Sequence, residues 1–148
     1  MTLSTGDRVG LSDLVARYAL YADRRDLPAL AGLFTGDGVL VLPDPPSSLA
    51  PARTFTGRDE IIAALSPLND VPLTSHEIVG QVFDGVTGHI ACVAHHLTER
   101  DDGKPSDLIW HLRYADTYRR SDGAWRFARR ELQIDFIETR PVRRWRVG

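Results

Sequence analysis

Cysteine is almost missing from this sequence. Cys92 is the only one, so no disulfide can close within the chain, and neither a cysteine-based zinc cluster nor a redox pair can be built. No apolar run approaches the ~20 residues that a membrane-spanning helix needs. The opening MTLSTGDRVG lacks the apolar core of a secretory signal. The expected setting is therefore reducing and cytoplasmic. Charge of one sign is lacking too: the formal net charge is −2, which gives no global pull toward nucleic acid or an anionic membrane. Glycine-rich phosphate loops, nucleophile elbows and cysteine nucleophile motifs do not occur. The partner left by these absences is a small molecule, with no nucleic acid and no membrane.

What is present suits one globular domain over 1–148. The 148 residues are 43% apolar and 26% charged, enough to bury a core. No internal repeat or interdomain linker stands out. A basic tail, RPVRRWRVG, closes the chain, and its segment is set at 139–148. Its four arginines around Trp145 suit a solvated tail or a flap over a neighbouring subunit.

Ser12 is expected to cap a first helix. Leu11, Leu14, Val15, Tyr18 and Ala22 then form an apolar stripe at spacings of three and four. Asp26 caps a second short helix, DLPALAGLF, with Pro28 in its first turn. GVLVLP reads as a short strand, PDPPSSLAP (43–51) as a loop, and GRDEIIAALSPL (57–68) as a third helix. From residue 72 the texture changes to long strands, paired across GVTG and SDGA turns. Helices first and a meander of strands after give an α+β fold. Its strongly curved antiparallel sheet forms a cone around three helices in the N-terminal half, with one open mouth.

Asp23 is the oddest residue. It falls in the last turn of the first helix, where the dipole disfavours a carboxylate by roughly 0.3–1 kcal/mol. The ordinary reading is a solvated group paired with Arg24 or Arg25. The functional reading is that Asp23 projects into the cone, where burial and the helix end raise its pKa and it serves as a base or orients a histidine. Tyr18, one turn earlier, is either a core aromatic or a phenol offering its hydroxyl to a substrate oxygen; Tyr21 is off the stripe. Strand alternation groups His76 with Ile78, Gly80 and Val82 on the more apolar face, so His76 is expected inside. His95 and His96 must point to opposite faces. Arg129 or Arg130 must point inward, which needs a carboxylate or an anionic ligand. No ligand pair of metal-site spacing occurs, so neither a metal nor a cofactor is expected.

These features carry a resemblance. LVARYALYADRRDLPALAGLFTGDGVL, GRDEI, His76 heading its strand, and YADTYRRSDGAWRFARR resemble the SnoaL-like branch of the nuclear-transport-factor-2-like superfamily over nearly the whole chain. Within that branch the sequence is similar to scytalone dehydratase, bile-acid 7α-dehydratase and hexachlorocyclohexane dehydrochlorinase. The resemblance implies an Asp23–His76 acid/base dyad, with Tyr18 as hydroxyl donor. It adds a substrate-binding set of Arg130, His95, His96, Glu99, Trp110 and Tyr114. The implied function is a cofactor-independent dehydratase or related eliminating enzyme, or an isomerase or cyclase, acting on a small apolar or polycyclic substrate. A homodimer or homotrimer built through the outer sheet face is expected. Two other readings fit the same scaffold: a non-catalytic module for an apolar ligand, and the small subunit of a ring-hydroxylating dioxygenase. Leu42 stands near the place of the ketosteroid isomerase base, so that proton shuttle is not expected.

Overall fold

A capping box starts the first helix. The Ser4 hydroxyl accepts from the Asp7 amide and the Asp7 carboxylate accepts from the Ser4 amide, both at 3.0 Å. In the computed structural model, which describes residues 2–147, α1 accordingly runs Thr5–Arg24. It begins well before the Ser12 cap expected from the stripe. Gly6 and Gly10 interrupt the periodic pattern and hide that first part. Gly10 is a contact point, since a Cβ there would lie 3.2 Å from Trp125 Cδ1. The stripe itself is the buried face: Leu11, Leu14, Val15, Tyr18 and Ala22 all lie in the core.

Asp26 caps α2 (Leu27–Ala31), accepting from the Ala29 amide at 3.2 Å. The strands are β1 (Phe34–Asp44), β2 (Ser48–Thr56), β3 (Leu73–Asp84), β4 (Thr87–Glu99), β5 (Pro105–Ser121) and β6 (Ala124–Pro141). Between β2 and β3 lie α3 (Arg58–Leu65) and a 3₁₀ turn at Ser66–Asp70. The stretch expected as a loop, PDPPSSLAP, is instead the β1–β2 hairpin and the start of β2. An edge strand tolerates Pro51 there, because its missing N–H need not join a ladder.

The six strands form one curved, open sheet in the order β2-β1-β6-β5-β4-β3. The α+β class is as expected, but the sheet is mixed. β1 and β6 are parallel, with Leu40 opposite Arg130, while every other pair is antiparallel. The chain leaves β2 at one edge, crosses by α3 to the far edge, and meanders back until β6 arrives beside β1 in the same direction. Strand β6 also takes up Thr139, Arg140 and Pro141, so the irregular tail starts later than expected, and Gly148 lies outside the described residues.

Bulges in the strands set which side chains face the core. Ile78 pairs with Cys92 and Gly80 with Ala91, leaving Val79 as an extra residue. One extra residue swaps the faces beyond it. Phe83 therefore packs on the core, and Val82, expected inside, is 63% exposed. In β6 a register shift between the Thr117–Arg129 and Tyr118–Phe127 pairs inserts Ala128. That lets Phe127 and Arg130, three residues apart, both turn inward.

The close approach of β4 to β5 depends on Gly88. A Cβ there would lie 2.2 Å from the Tyr118 hydroxyl. That hydroxyl is tied to Asp116 at 2.8 Å and cannot retreat freely. Gly88→Ala is expected to lose about 1–3 kcal/mol through overpacking. Urea unfolding of the variant checks this, and an unchanged midpoint contradicts it. Among the described residues, no helix is long and apolar enough to cross a membrane.

Candidate active site

The end of α1 solves the problem that Asp23 poses. Arg25 closes the helix in the left-handed region, with φ 60°. From there its guanidinium folds back to donate to the carbonyls of Ala22 (3.1 Å) and Asp23 (3.0 Å), the Thr74 hydroxyl (2.7 Å) and the Val71 carbonyl (2.6 Å). A cation thus covers the negative helix end beside the carboxylate. Neither Arg24 nor Arg25 pairs with the Asp23 carboxylate itself. The carboxylate reaches across to β3, where Oδ1 accepts from the Thr74 hydroxyl at 2.9 Å and Oδ2 from the His76 amide at 3.0 Å. Oδ1 also meets His76 Nδ1 at 2.7 Å.

Burial pushes the Asp23 carboxyl up, but the bonds from the His76 ring, the His76 amide and Thr74 outweigh it and hold the group below its ordinary value. The expectation of a raised pKa is therefore corrected. Asp23 stays an anion and works as an acceptor. Facing a carboxylate, Nδ1 carries the ring proton of neutral His76, which leaves a lone pair on Nε2. The side chains are 26% exposed for Asp23 and 9% for His76.

His76 lines a cavity of about 340 Å³, within the range of about 300–1,000 Å³ usual for small-molecule sites. Its wall is chiefly apolar, built from residues such as Ala22, Leu42, Leu65, Leu68, Val71 and Leu132. The polar groups on it come from Tyr18, His76, His96, Thr98, Trp110 and Tyr114, with no lysine or arginine. His96 stands edge-on to His76, ring centroids 6.2 Å apart, and lies 4.8 Å from the Trp110 ring. Its Nδ1 donates to the Leu108 carbonyl at 2.9 Å, so Nε2 of the neutral ring is an acceptor. Burial pushes the His96 imidazole down, and the neighbouring His76 adds to this, against the Leu108 bond. The Trp110 indole N–H is sealed and, among the described residues, has no hydrogen-bond partner.

Tyr18 lies deeper in the wall. Burial pushes its phenol up to about 12 despite the nearby Arg130 charge, so the hydroxyl is a donor at neutral pH. Arg130 is the inward arginine of the Arg129–Arg130 pair, but it is not on the cavity wall. It is fully buried and donates to Asp116 through Nε at 2.8 Å and Nη2 at 3.0 Å. Its guanidinium carbon stacks on three rings, Tyr114 at 3.7 Å and Tyr18 and Phe127 at 4.3 Å each. Direct contact of Arg130 with a substrate is therefore corrected: it meets a carboxylate and aromatic faces instead.

Two more expected residues lie elsewhere. His95 points to the opposite sheet face, held by Asp107 at 2.6 Å and 3.4 Å from Glu77. Burial lowers its pKa, but Asp107 and Glu77 more than offset this and raise it. Glu99 is exposed at the end of β4, opposite Pro105. Its neighbour Thr98 takes the wall position, one residue away, as alternation requires when His96 faces in. Thr74 and Arg25 brace Asp23 and lie outside the set of site residues expected from the sequence. For Thr74 the signal was there, because two residues before His76 on a strand is the same face.

Residues 4–131 match the family model described as the SnoaL-like domain. No curated protein matches the sequence. Among solved structures, a proposed scytalone dehydratase from Novosphingobium aromaticivorans is 25% identical with a TM-score of 0.75, over 96% of this chain and 91% of that one. A hexachlorocyclohexane dehydrochlorinase, LinA type 2, is 16% identical with a TM-score of 0.74, over 90% and 88%. A proposed aromatic ring hydroxylase from Novosphingobium aromaticivorans is 19% identical with a TM-score of 0.72, over 94% and 96%. The last two likenesses speak for the fold alone.

Proposed function

Because the chain belongs to the SnoaL-like domain family of the nuclear-transport-factor-2-like superfamily, we propose that it is a lyase- or isomerase-type enzyme working by acid–base catalysis. Its substrate is a small apolar molecule bearing an electron-withdrawing group. The observation that carries this reading is the 2.7 Å contact between Asp23 and His76 Nδ1 at the edge of an apolar cavity. The likeness to a proposed scytalone dehydratase supports elimination as the reaction.

Substrate entry displaces water from an apolar chamber, where a fixed dipole acts with less screening than in bulk water. His76 Nε2 removes a proton from the carbon beside the electron-withdrawing group. Asp23 holds the ring in the Nδ1–H form and stabilises the imidazolium that results. Charge moving onto the substrate oxygen meets the Tyr18 O–H. In an elimination, the carbon–oxygen bond then breaks as the double bond forms, and the imidazolium returns its proton to the departing hydroxyl, releasing water. In an isomerisation, the same proton goes back to a different carbon. Neutral His96 has only a lone pair to offer on Nε2, so it orients a substrate hydroxyl by accepting from it and is not the acid for the leaving group.

The proton-abstraction step can be tested without the natural substrate. 2-Tetralone is an apolar bicyclic ketone with acidic α-hydrogens. In deuterium oxide at neutral pH, the protein is expected to accelerate exchange of those hydrogens, followed by proton NMR. A rate equal to that of buffer containing free imidazole contradicts the reading.

A further inference from the structure

Arg25 makes more bonds than a helix end requires. Its φ of 60° turns the chain at the close of α1, and the side chain runs back across the helix end to β3. Nη1 donates to the Ala22 and Asp23 carbonyls and to the Thr74 hydroxyl, while Nη2 donates to the Val71 carbonyl. The first two bonds cap the helix. The other two reach residues 49 and 46 positions along the chain and have no part in capping.

The bond to Thr74 fixes a direction. A guanidinium has donors only, so at 2.7 Å the Thr74 oxygen must accept from it. The single hydroxyl hydrogen is then turned toward Asp23 Oδ1, 2.9 Å away. Thr74 is almost fully buried, which shields that hydroxyl from bulk water. Oδ1 is also the oxygen that meets His76 Nδ1. Arg25 thus donates to Thr74, and Thr74 and His76 donate to Asp23 from two sides.

The bond to Val71 fixes a wall. Val71 precedes Pro72, which biases it toward extended backbone, and it has φ −93° and ψ 123°. Its amide donates to the Leu68 carbonyl at 3.1 Å and closes the 3₁₀ turn after α3. Leu65, Pro67, Leu68 and Val71 of this stretch line the cavity. Among the described residues no side chain caps the start of that turn. Arg25 Nη2 ties down its far end at 2.6 Å.

We infer that Arg25 is a positioning residue for base and cavity together: one guanidinium directs the Thr74 hydroxyl onto Asp23 and anchors the apolar wall at Val71. This rests on the Asp23–His76 reading and adds what holds the dyad and the wall in fixed relation. Arg25 is not on the cavity wall and touches no ligand. The titratable and charged groups near Asp23 are His76 on β3, Arg25 beside it and the Cys92 thiol on β4. The Thr74 hydroxyl is one of the donors that hold the Asp23 carboxyl below its ordinary value.

Two readouts test this, Asp23 ionisation by carboxyl ¹³C NMR and naphthalene affinity by fluorescence titration. Thr74→Val is expected to raise the Asp23 midpoint by about one pH unit, a tenfold change, with naphthalene affinity unchanged. Thr74→Ser should return the midpoint to its wild-type value. Arg25→Lys keeps a cation at the helix end, but an ammonium carries its donors on one atom and does not span Thr74 and Val71 as the fork does. It is expected to move the midpoint up as well, and to weaken naphthalene binding by about tenfold, the order of one hydrogen bond to a charged group. Added to Thr74→Val, it should shift the midpoint no further, because its route runs through the hydroxyl. None of these readouts needs turnover, so a wild-type protein that fails to exchange 2-tetralone contradicts the proton-abstraction reading alone. The inference is overturned if Thr74→Val or Arg25→Lys leaves the Asp23 midpoint in place, if serine does not restore it, or if the two shifts add. It is equally overturned if Arg25→Lys binds naphthalene no more weakly than wild type, or if Thr74→Val loses that affinity in parallel.

Discussion

His76→Ala is expected to slow 2-tetralone exchange by about 10²–10⁴, the usual range for loss of a positioned general base. Asp23→Asn is expected to fall in the same range by a different route. An amide can turn its NH₂ toward Nδ1, which drives the ring proton to Nε2 and removes the lone pair from the cavity. Even with its oxygen toward Nδ1, the amide lacks the charge that stabilises the imidazolium. Both proteins should keep their fold. His76 is partly exposed on the cavity wall, and neither side chain belongs to the hydrophobic core that packs α1 on the sheet. Far-UV circular dichroism and binding of naphthalene serve as controls. If either variant exchanges 2-tetralone at the wild-type rate with these controls intact, His76 is not the base.

The largest effect on stability is expected from Arg130→Met. The residue is sealed, and its loss strands the Asp116 carboxylate, which is itself buried and, among the described residues, accepts otherwise only from the Tyr118 hydroxyl. Removing one partner of a buried pair costs about 3–5 kcal/mol. In a chain of this length that corresponds to a fall in Tm of roughly 6–20 °C. Three aromatic rings also lose the cation stacked between them. Differential scanning calorimetry measures the shift. The double change Arg130→Met with Asp116→Leu should recover much of it, because the penalty lies in the stranded charge. A single variant melting within a degree or two of wild type contradicts this account of the core.

Some of this architecture is legible in the sequence for plain reasons. The stripe Leu11–Leu14–Val15–Tyr18–Ala22 follows helical periodicity, and Asp122-Gly123 matches a tight hairpin turn in which both residues take positive φ. Asp23 is conspicuous because it sits at the wrong end of a dipole. Other features escape because they depend on partners distant in the chain. The parallel pairing of β1 and β6 is decided by where the meander ends. The inserted Val79 reverses the inside and outside of the rest of β3, which alternation alone misplaces at Val82. The sign of the Asp23 shift needs the Thr74 hydroxyl and the His76 amide, supplied by a strand some fifty residues on. Arg130 shows the same limit: that it points inward follows from the strand pattern and the resemblance, but its partner, Asp116, comes from the neighbouring strand.

The account depends most on which nitrogen of His76 carries the proton. Long-range ¹H–¹⁵N NMR of the histidine rings reads this directly in the neutral form, with Asp23→Asn as the reference for assignment. The expected spectrum has His76 protonated at Nδ1 and bare at Nε2, and this pattern is altered when Asp23 becomes asparagine. A neutral His76 protonated at Nε2 in the wild-type protein, indifferent to the change at Asp23, would leave the cavity without a base.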